Sequence, residues 1–165
     1  HCAGLLHDAE TGLSPEKRVE DVNLAALQRV FAINGFAPIL LARYALPLLR
    51  HDRRAVFASL SARVGSIEDN RLGGWYAYRA SKAAQNQFLR TFAVEARRRA
   101  KNLIVLALHP GTVETGLSAP FRANVPPEKL FSADFAAQCL LKNMDNAGEE
   151  DSGGFFAWDG APIPW

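Results

Sequence analysis

The stretch that decides the fold is Leu103-Ile104-Val105-Leu106-Ala107-Leu108, which Pro110 and Gly111 bring to an end. Six apolar residues in a row indicate a strand buried on both faces, because a half-exposed strand would alternate with polar residues. Proline and glycine neither extend a strand nor begin a helix at once, so the strand ends here. A second run, Ala55-Val56-Phe57-Ala58-Ser59-Leu60, predicts another strand of the same kind.

Helical periodicity flanks both strands. Apolar residues recur at three- and four-residue steps from Leu24 to Leu49, which predicts one long helical segment kinked at Pro38. A second long helix is predicted from Tyr76 to Arg99, with an apolar stripe of mostly small residues. The stripe comprises Ala80, Ala84, Phe88, Phe92 and Ala96, and the shorter predicted elements are a helix or turn from Ser14, a helix capped by Ser132 that runs to about Asn146, and a last strand over Phe155 to Trp158.

The alternation of strands and helices predicts an α/β fold, a doubly wound parallel sheet with helices on both faces. The chain has 165 residues, of which 48% are hydrophobic and 22% charged, which suits one domain with a sizeable core. It opens in an apolar stretch, His1-Cys2-Ala3-Gly4, without a polar lead-in. Domains rarely begin in mid-core, so we expect residues 1–165 to be the carboxy-terminal portion of a single domain truncated at its amino end.

Charge and cysteine content exclude several classes of protein. The net charge is +2, and the run Arg97-Arg98-Arg99 ends a predicted helix without interleaved aromatic residues, so no nucleic-acid partner is expected. Cys2 and Cys139 have neither redox nor metal-ligand spacing, which favours a reduced, cytoplasmic setting and no metal site. Charge, proline or glycine interrupts each apolar run before about 18 residues, so no membrane span is expected.

Tyr78 and Lys82 are the first candidates for chemistry. Four residues apart at the start of a predicted helix, they project from the same face. An ammonium beside a phenol favours the phenolate and lowers a pKa that is ordinarily about 10, so the pair could exchange a proton with an alcohol or carbonyl. The same spacing also suits a solvated surface pair, and the context has to decide between the two.

That context resembles the short-chain dehydrogenase/reductase family. Residues 78–84, Tyr-Arg-Ala-Ser-Lys-Ala-Ala, are similar to the family's Y-x-A-S-K-A-A signature, and residues 110–115, Pro-Gly-Thr-Val-Glu-Thr, to its P-G-x-V-x-T motif. Ala3-Gly4 matches the end of its N-N-A-G motif, and Asn34 matches the asparagine of its central helix. The four motifs follow in the family's order and span essentially the whole chain.

Within the family the chain resembles the C-factor and sniffer-like carbonyl reductase branch. The resemblance rests on residues 59–67, 73–78, 156–160 and 163–165. It implies a Rossmann-type domain, NAD or NADP as cofactor, and a small-molecule carbonyl or alcohol substrate. It also implies a homodimer or homotetramer formed through the two long helices, whose small residues such as Ala80, Ala84 and Ala96 would let helices approach closely.

The resemblance implies roles for single residues. Tyr78 would pass the proton, Lys82 would hold the nicotinamide ribose and lower the pKa of the tyrosine, and Asn34 would anchor a water for proton relay. The cofactor-binding residues implied are Gly4, Tyr78, Lys82, Pro110, Gly111, Val113 and Thr115.

A substrate-orienting serine is harder to place. The family's serine lies three residues before a glycine, and counting back from Gly65 reaches Ala62. We predict that the neighbouring Ser61 orients the carbonyl, with a turn or capping serine as the alternative. His109 at the strand end is more simply a structural residue, and residues 118–130, long for a connection, form either a lid over substrate or ordered packing.

No glycine-rich G-x-G-x-x-G turn occurs in the sequence. The adenosine half of a nicotinamide site is therefore expected upstream of His1, and the choice between NAD and NADP stays open. The alternative function is a non-catalytic signalling or interaction protein, or a truncated remnant, that dimerises through its helices. A start codon close upstream of His1 would favour that alternative, and a continuous frame with a glycine-rich turn would favour the enzyme.

Overall fold

A computed structural model describes the backbone of residues 1–165 and every side chain except that of residue 124. The α-helices are α1 (Leu24–Phe31), α2 (Ala37–Leu49), α3 (Tyr76–Arg99) and α4 (Ala133–Asn146). The strands are β1 (Ala55–Leu60), β2 (Leu103–His109), β3 (Thr112–Val113), β4 (Leu130–Phe131) and β5 (Gly154–Ala157). Short 3-10 turns join them at Val19–Asp21, Arg63–Gly65, Ala119–Asn124, Pro127–Lys129 and Glu149–Asp151, and a π-helical turn, Ala32–Phe36, joins α1 to α2.

The main sheet is parallel and has the strand order β1-β2-β5. Ala55 of β1 lies opposite Leu103 of β2, and Leu106 of β2 lies opposite Gly154 of β5. The connections are α3 between β1 and β2, and α4 between β2 and β5, as parallel pairing requires. The predicted α/β class is confirmed.

Helices cover both faces of this sheet. On one face Leu89 and Phe92 of α3 pack with Phe57 and Val105, and α2 adds Ala42 to the same core. On the other face Leu140 of α4 packs on alternate residues of β2, Ile104, Leu106 and Leu108. The sheet is therefore doubly wound, as predicted.

The two strands predicted to be buried on both faces differ. In β2 every residue from Leu103 to Leu108 is buried. In β1 the buried residues alternate with half-buried ones such as Val56 and Ala58, so the prediction for β1 is wrong on one face. The reason is packing, since α4 lies chiefly over β2 while Val56 and Ala58 touch only the margin of that core.

The first residue of the chain extends the sheet beside β1. The amino group of His1 donates to the carbonyl of Ala58 at 2.8 Å, and the amide of Leu60 donates to the carbonyl of His1 at 2.9 Å. These bonds satisfy backbone groups on the far side of β1 from β2. They also place residues 2–5 at the carboxyl end of the sheet.

The predicted helix over residues 24–49 is continuous but changes its winding at Asn34. Pro38 has no amide hydrogen to offer the preceding turn, so the helix widens into the π turn just before it. By length and composition alone this segment is long and apolar enough to cross a membrane, a test that core helices also pass. In the domain its inner side packs instead, with Ala42 and Leu46 in the core shared with β1 and α3.

The shorter elements follow the predictions less closely. Ser132 caps α4 by accepting the amide of Phe135 at 3.2 Å, as expected, and the last strand is shifted by one residue to Gly154–Ala157. The helix or turn expected from Ser14 begins only at Val19. Glu16 is buried and serves α3 instead, because its carboxylate accepts the amide of Ala77 at 3.2 Å.

Candidate active site

Four predicted site residues lie together at the carboxyl edge of the sheet: Gly4, Asn34, Tyr78 and Lys82. Tyr78 and Lys82 lie on the buried side of the first turns of α3. Asn34 reaches them from the π turn, where its side-chain amide donates to the Ser81 hydroxyl at 3.1 Å. A Cβ added to Gly4 would lie 3.8 Å from Asn34 Oδ1 and 4.0 Å from Lys82 Nζ, so this peptide borders both side chains.

Asn34 clamps the chain that follows His1. Its Oδ1 accepts the amide of Leu5 at 2.7 Å, and its Nδ2 donates to the carbonyl of Leu5 at 2.8 Å. The side chain has no exposed surface, so these bonds are made away from water, where they fix geometry strongly. Asn34 therefore holds the segment with Gly4 against α3, a role that the sequence did not indicate.

Lys82 is buried with two of its three ammonium donors engaged. Nζ donates to the carbonyl of Leu60 and to Gln85 Oε1, both at 2.9 Å, and lies 5.9 Å from the centre of the Tyr78 ring. Burial lowers the pKa of Lys82 to about 8. The third donor is not used by these two acceptors, and Gly4 lies beside Nζ.

Gln85 supports Lys82 and was not predicted from the sequence. Its Nε2 donates to Ser59 Oγ at 2.8 Å and to the carbonyl of Leu60 at 3.0 Å, while its Oε1 accepts from Lys82. The Ser59 hydroxyl also contacts His1 Nδ1 at 3.1 Å. A glutamine three residues after a site lysine, on the same side of a helix, is a signal that could have found it.

Tyr78 is buried, and burial raises the pKa of its phenol to about 12. This direction is opposite to the one predicted from the nearby lysine. The ammonium of Lys82 is turned toward Leu60 and Gln85, and desolvation of the phenol outweighs its influence. The aromatic neighbour of Tyr78 is Trp75, with ring centres 6.2 Å apart, whereas Tyr76 is 41% exposed.

The structure does not bring the hydroxyl of Ser61 to this group. Ser61 Oγ donates to Asn86 Oδ1 at 2.6 Å, and the side chain is buried. Asn86 lies eight residues beyond Tyr78 along α3, about 12 Å at 1.5 Å per residue. The backbone at Ala62 is extended, so its methyl group faces the opposite side from Ser61 and carries no hydroxyl.

The proline-glycine turn lies at the end of β2, as predicted. Gly111 has φ +78°, and a Cβ there would come within 2.6 Å of the Phe131 ring, so glycine is required twice over. Val113 lies in β3, which pairs with β4. The Ser118 hydroxyl accepts the amide of Thr115 at 3.3 Å and donates to the carbonyl of Val113, which fixes the chain as it leaves the turn.

His109, which precedes this turn, is held in its neutral form. Burial, together with the nearby charge of Arg63, lowers the pKa of its imidazole to about 4, although Asp159 acts in the opposite direction. Its Nδ1 and the Nδ2 of Asn86 are the two buried side-chain atoms that lack a partner among the described side chains. A neutral, enclosed histidine fits the structural role predicted for it.

Other parts of the surface offer less chemistry. A cavity of about 370 Å³ lies between α4 and strands β2 and β5, and none of Asn34, Tyr78 or Lys82 lines it. Among the described side chains, no group of three or more histidine, cysteine or acidic residues could hold a metal ion. We therefore place the candidate site at Tyr78 and Lys82.

Relatives and solved structures resemble this chain along most of its length. C-signal of Myxococcus xanthus is 33% identical over 145 residues, covering 88% of this chain and 82% of that protein. The 1-hydroxy-2-glutathionyl-2-methyl-3-butene dehydrogenase of Rhodococcus sp. (strain AD45) is 33% identical over 168 residues, covering 100% of this chain and 66% of that protein.

Carbonyl reductase Sniffer of D. melanogaster superposes with a TM-score of 0.83 at 27% identity, covering 99% of this chain and 64% of that chain. The NADPH-bound carbonyl reductase from chicken fatty liver also gives 0.83, at 28% identity, covering 99% and 63%. The chain thus spans less than two thirds of the length of either carbonyl reductase. The profile of the short chain dehydrogenase family matches residues 3–126. On this match the chain belongs to the short-chain dehydrogenase family, and its likeness to C-signal and Sniffer confirms the predicted C-factor and sniffer-like branch.

Proposed function

We propose that these residues form the catalytic side of an NAD- or NADP-dependent oxidoreductase that transfers hydride between nicotinamide and a carbonyl or alcohol carbon. The observation that carries the proposal is the convergence of a buried phenol, a buried ammonium and an exposed glycine peptide at one sheet edge. In open parallel sheets, ligands bind at this edge. Tyr78 is the proposed acid/base.

The donor groups fit a nicotinamide ribose. Lys82 has one ammonium donor not used by Leu60 or Gln85, and Gly4 leaves its backbone open beside it. We assign Lys82 and Gly4 to the ribose side, and Pro110, Gly111, Val113 and Thr115 to the nicotinamide side. When bound, the reduced cofactor supplies the hydride. No residue of the chain is assigned to the adenosine half.

Tyr78 supplies the proton in the reducing direction. With its pKa raised to about 12, the phenol stays protonated at neutral pH, which is the form that can donate to a carbonyl oxygen gaining negative charge. In the oxidising direction the same residue must lose its proton, which burial opposes. Burial of the phenol therefore favours the protonated form that carbonyl reduction requires.

Asn34 and Ser61 keep the roles that the sequence suggested, a water anchor and a carbonyl-orienting hydroxyl, and their contacts determine how each could act. Asn34 fixes Gly4 relative to Lys82 through its bonds to Leu5. A water bound between Asn34 and Lys82 for proton relay would therefore have partners whose positions are fixed. Ser61 can orient a substrate carbonyl only if its hydroxyl leaves Asn86. Loss of rate without loss of stability in Ser61→Ala would support the substrate role, and the reverse would support a structural role.

The experiment that tests the function compares Tyr78→Phe with Tyr76→Phe in protein expressed from the complete reading frame. We expect Tyr78→Phe to lower the rate of NADPH-dependent aldehyde reduction by about 10²–10⁴-fold, because the proton donor is lost while the ring is kept. NADPH binding, measured by fluorescence titration, should change little. Tyr76→Phe should retain full turnover, and a Tyr78→Phe protein with full turnover would rule out the mechanism.

A second proposal, from the exposed side of the long helical segment, is self-association in the cytoplasm as a homodimer or homotetramer. Phe36, Leu40, Tyr44 and Leu48 follow at four-residue steps and are 45% to 78% exposed, an apolar stripe that a monomer would leave in water. Two of the small residues predicted for this interface pack inside the chain instead of facing a partner. Ala96 is fully buried in the core, and Ala84 faces Gly35 within the chain.

Sedimentation tests the assembly. We expect a dimer or larger species at high micromolar concentration, a monomer for Leu40→Glu, and no change for the control Leu141→Glu on α4. A monomeric wild type would refute self-association, and co-flotation of the wild type with lipid vesicles would assign the stripe to a membrane surface instead.

A further inference from the structure

Tyr78 belongs to the first turn of α3, the part of a helix that holds itself least firmly. The first amides of a helix have no carbonyl of the same helix to bond, so the first turn frays unless another group accepts them. Trp75, which precedes the helix, makes no capping bond with its side chain. It also has φ 53°, a left-handed conformation that is strained for a bulky residue. The start of α3 therefore depends on contacts from elsewhere in the chain.

Glu16 supplies these contacts from a loop 61 residues away in sequence. Its carboxylate accepts the amide of Ala77 at 3.2 Å, and its backbone carbonyl accepts the amide of Trp75 at 2.6 Å. A Cβ added to Gly74 would lie 3.4 Å from the same carbonyl, so the two backbones meet closely. We call these two hydrogen bonds the clamp. It holds the chain as far as Ala77, the residue directly before Tyr78.

The carboxylate of Glu16 occupies an unfavourable place for a charge. Glu16 is 5% exposed, and among the described residues it is the one acidic side chain that is buried. None of the ion pairs between described side chains includes it. Burying a carboxylate without a cation costs free energy, which the amides and dipole of a helix amino terminus offset in part. A serine or asparagine in place of Trp75 would cap the helix without burying a charge, so capping alone does not account for Glu16.

Lys82 does not depend on the clamp. It lies one turn further along α3, and its Nζ is held by the carbonyl of Leu60 and by Gln85. Gly4 is fixed separately, because Asn34 bonds both backbone groups of the next residue. Loss of the clamp would therefore disturb the phenol in the first turn and leave the proposed ribose side in place.

We propose that Glu16 is a positioning residue for proton transfer, whose carboxylate fixes the first turn of α3 and thereby the phenol of Tyr78 relative to the substrate carbonyl. The proposal rests on the proposed function, since it takes Tyr78 as the proton donor. A displacement of about 1 Å in a reacting group can cost about 10²-fold in rate, even when the substituted residue does not touch the substrate. Glu16 acts on turnover and not on cofactor binding.

The test compares Glu16→Ala with Ser132→Ala in protein expressed from the complete reading frame. Ser132 caps α4 by accepting the amide of Phe135, also at 3.2 Å, so its loss removes a similar bond from another helix. We expect Glu16→Ala to lower kcat for NADPH-dependent aldehyde reduction by about 10–10²-fold. The Kd for NADPH, measured by fluorescence titration, should change by less than about twofold, because Lys82 keeps its partners.

Ser132→Ala should lower the urea midpoint of unfolding, as Glu16→Ala does, and should leave kcat unchanged. An unchanged kcat in Glu16→Ala would overturn the proposal. Equal losses of kcat in the two variants would also overturn it, since the rate would then follow stability and not the position of the phenol.

Two conservative variants separate the reach of the acceptor from its charge. Glu16→Gln keeps an oxygen at the same distance from the backbone and should recover most of the rate. Glu16→Asp keeps the charge but withdraws the oxygen from Ala77 by one methylene, so its kcat should stay low. Glu16→Asp also provides the measurement if Glu16→Ala does not fold. A slow Glu16→Gln or a fully active Glu16→Asp would show that the bond to Ala77 does not position Tyr78.

Hydrogen exchange distinguishes failure of this proposal from failure of the proposed function. In Glu16→Ala the amides of residues 76–79 should exchange about fivefold faster than in the wild type, the factor expected for a lost helix cap. A protein that shows this change but reduces no aldehyde or ketone has the clamp without the oxidoreductase activity. A protein that reduces carbonyl compounds equally well with and without Glu16 has the activity without the positioning role.

Discussion

The buried face of α3 changes character halfway along the helix. Toward the amino end it is polar, and toward the carboxyl end it is apolar, although both halves face the same sheet. After Ala77 and Tyr78, the polar half has the buried residues Ser81, Lys82, Gln85 and Asn86, and the apolar half has Leu89, Phe92, Ala93 and Ala96. The difference shows that one helix face contributes to two parts of the protein. Its polar half forms a site at the carboxyl edge of the sheet, and its apolar half forms the core below that edge.

The two halves stabilise the protein by different means. Apolar side chains gain free energy from burial alone, in proportion to the area removed from water. Buried polar groups gain little and cost free energy unless each finds a partner. Gln85 has all its groups paired, whereas Asn86 Nδ2 has no partner among the described side chains. We therefore expect the apolar half to contribute most of the stability, and the polar half chiefly to fix the positions of the site side chains.

The largest expected effect on stability is in the apolar half. Leu89 is 1% exposed, so Leu89→Ala should leave a cavity and lower the free energy of unfolding by about 2–5 kcal/mol. Val94 lies on the same half of the helix but is 51% exposed, and Val94→Ala should change stability by no more than about 0.5 kcal/mol. Urea denaturation of both variants measures the difference, and equal losses would contradict the division of the helix.

A smaller effect is expected in the polar half. Gln85→Leu keeps the size of the side chain but leaves Lys82, Ser59 and the carbonyl of Leu60 each short of a partner. We expect a loss of about 1–3 kcal/mol in stability together with weaker NADPH binding, because Lys82 is no longer held. The exposed Gln87 is the matched control, and Gln87→Leu should change neither quantity. Unchanged NADPH affinity in Gln85→Leu would remove Gln85 from the site.

The halves of α3 also explain what sequence could predict. The helix bounds, Tyr76–Arg99, were predicted correctly, because periodicity marks a helix even where its face is misplaced. Of the predicted stripe, Phe92 and Ala96 are buried, whereas Ala80 is exposed and Ala84 and Phe88 are half-buried. In the amino-terminal half of the helix the buried face lies about one residue further on. Hydrophobicity could not find that face, since Lys82, Gln85 and Asn86 are polar and find their partners in the last residues of β1 and in Ser61, which follows it.

The site shows the same limit. The motifs predicted a site that includes Gly4, Asn34, Tyr78 and Lys82, and the structure places these four residues close together. The order of the strands fixes which loops meet at the sheet edge. The motifs could not predict the direction of the Ser61 side chain or the desolvation of the Tyr78 phenol. The hydroxyl of Ser61 faces Asn86 because residues alternate along an extended chain, and the pKa of Tyr78 rises because the phenol is buried, which depends on the whole packed neighbourhood.

The smallest expected effect comes from titration of Lys82, which should change NADPH affinity and stability in opposite directions as pH rises. Burial lowers the pKa of Lys82 from 10.5 to about 8, so the ammonium that would bind the ribose is lost as pH rises through that value. NADPH affinity should then be about twofold weaker at pH 8 than at pH 7, and about tenfold weaker at pH 9. In Lys82→Met the affinity should be low and free of this pH dependence.

Stability should move the other way over the same range. Between pH 8 and 10.5 the unfolded chain holds a proton on Lys82 that the folded chain has released, so the free energy of unfolding rises with pH in that window. Below pH 8 the buried charge costs stability, and that cost is fully present. Because other groups titrate as well, the informative quantity is the difference in unfolding free energy between the wild type and Lys82→Met, measured by urea denaturation at each pH. That difference should shift in favour of the wild type as pH rises from 8 to 10.5, while NADPH affinity falls. A stability difference that is flat across this window would show that the ammonium is not desolvated, and the polar half of α3 would then be a solvated surface.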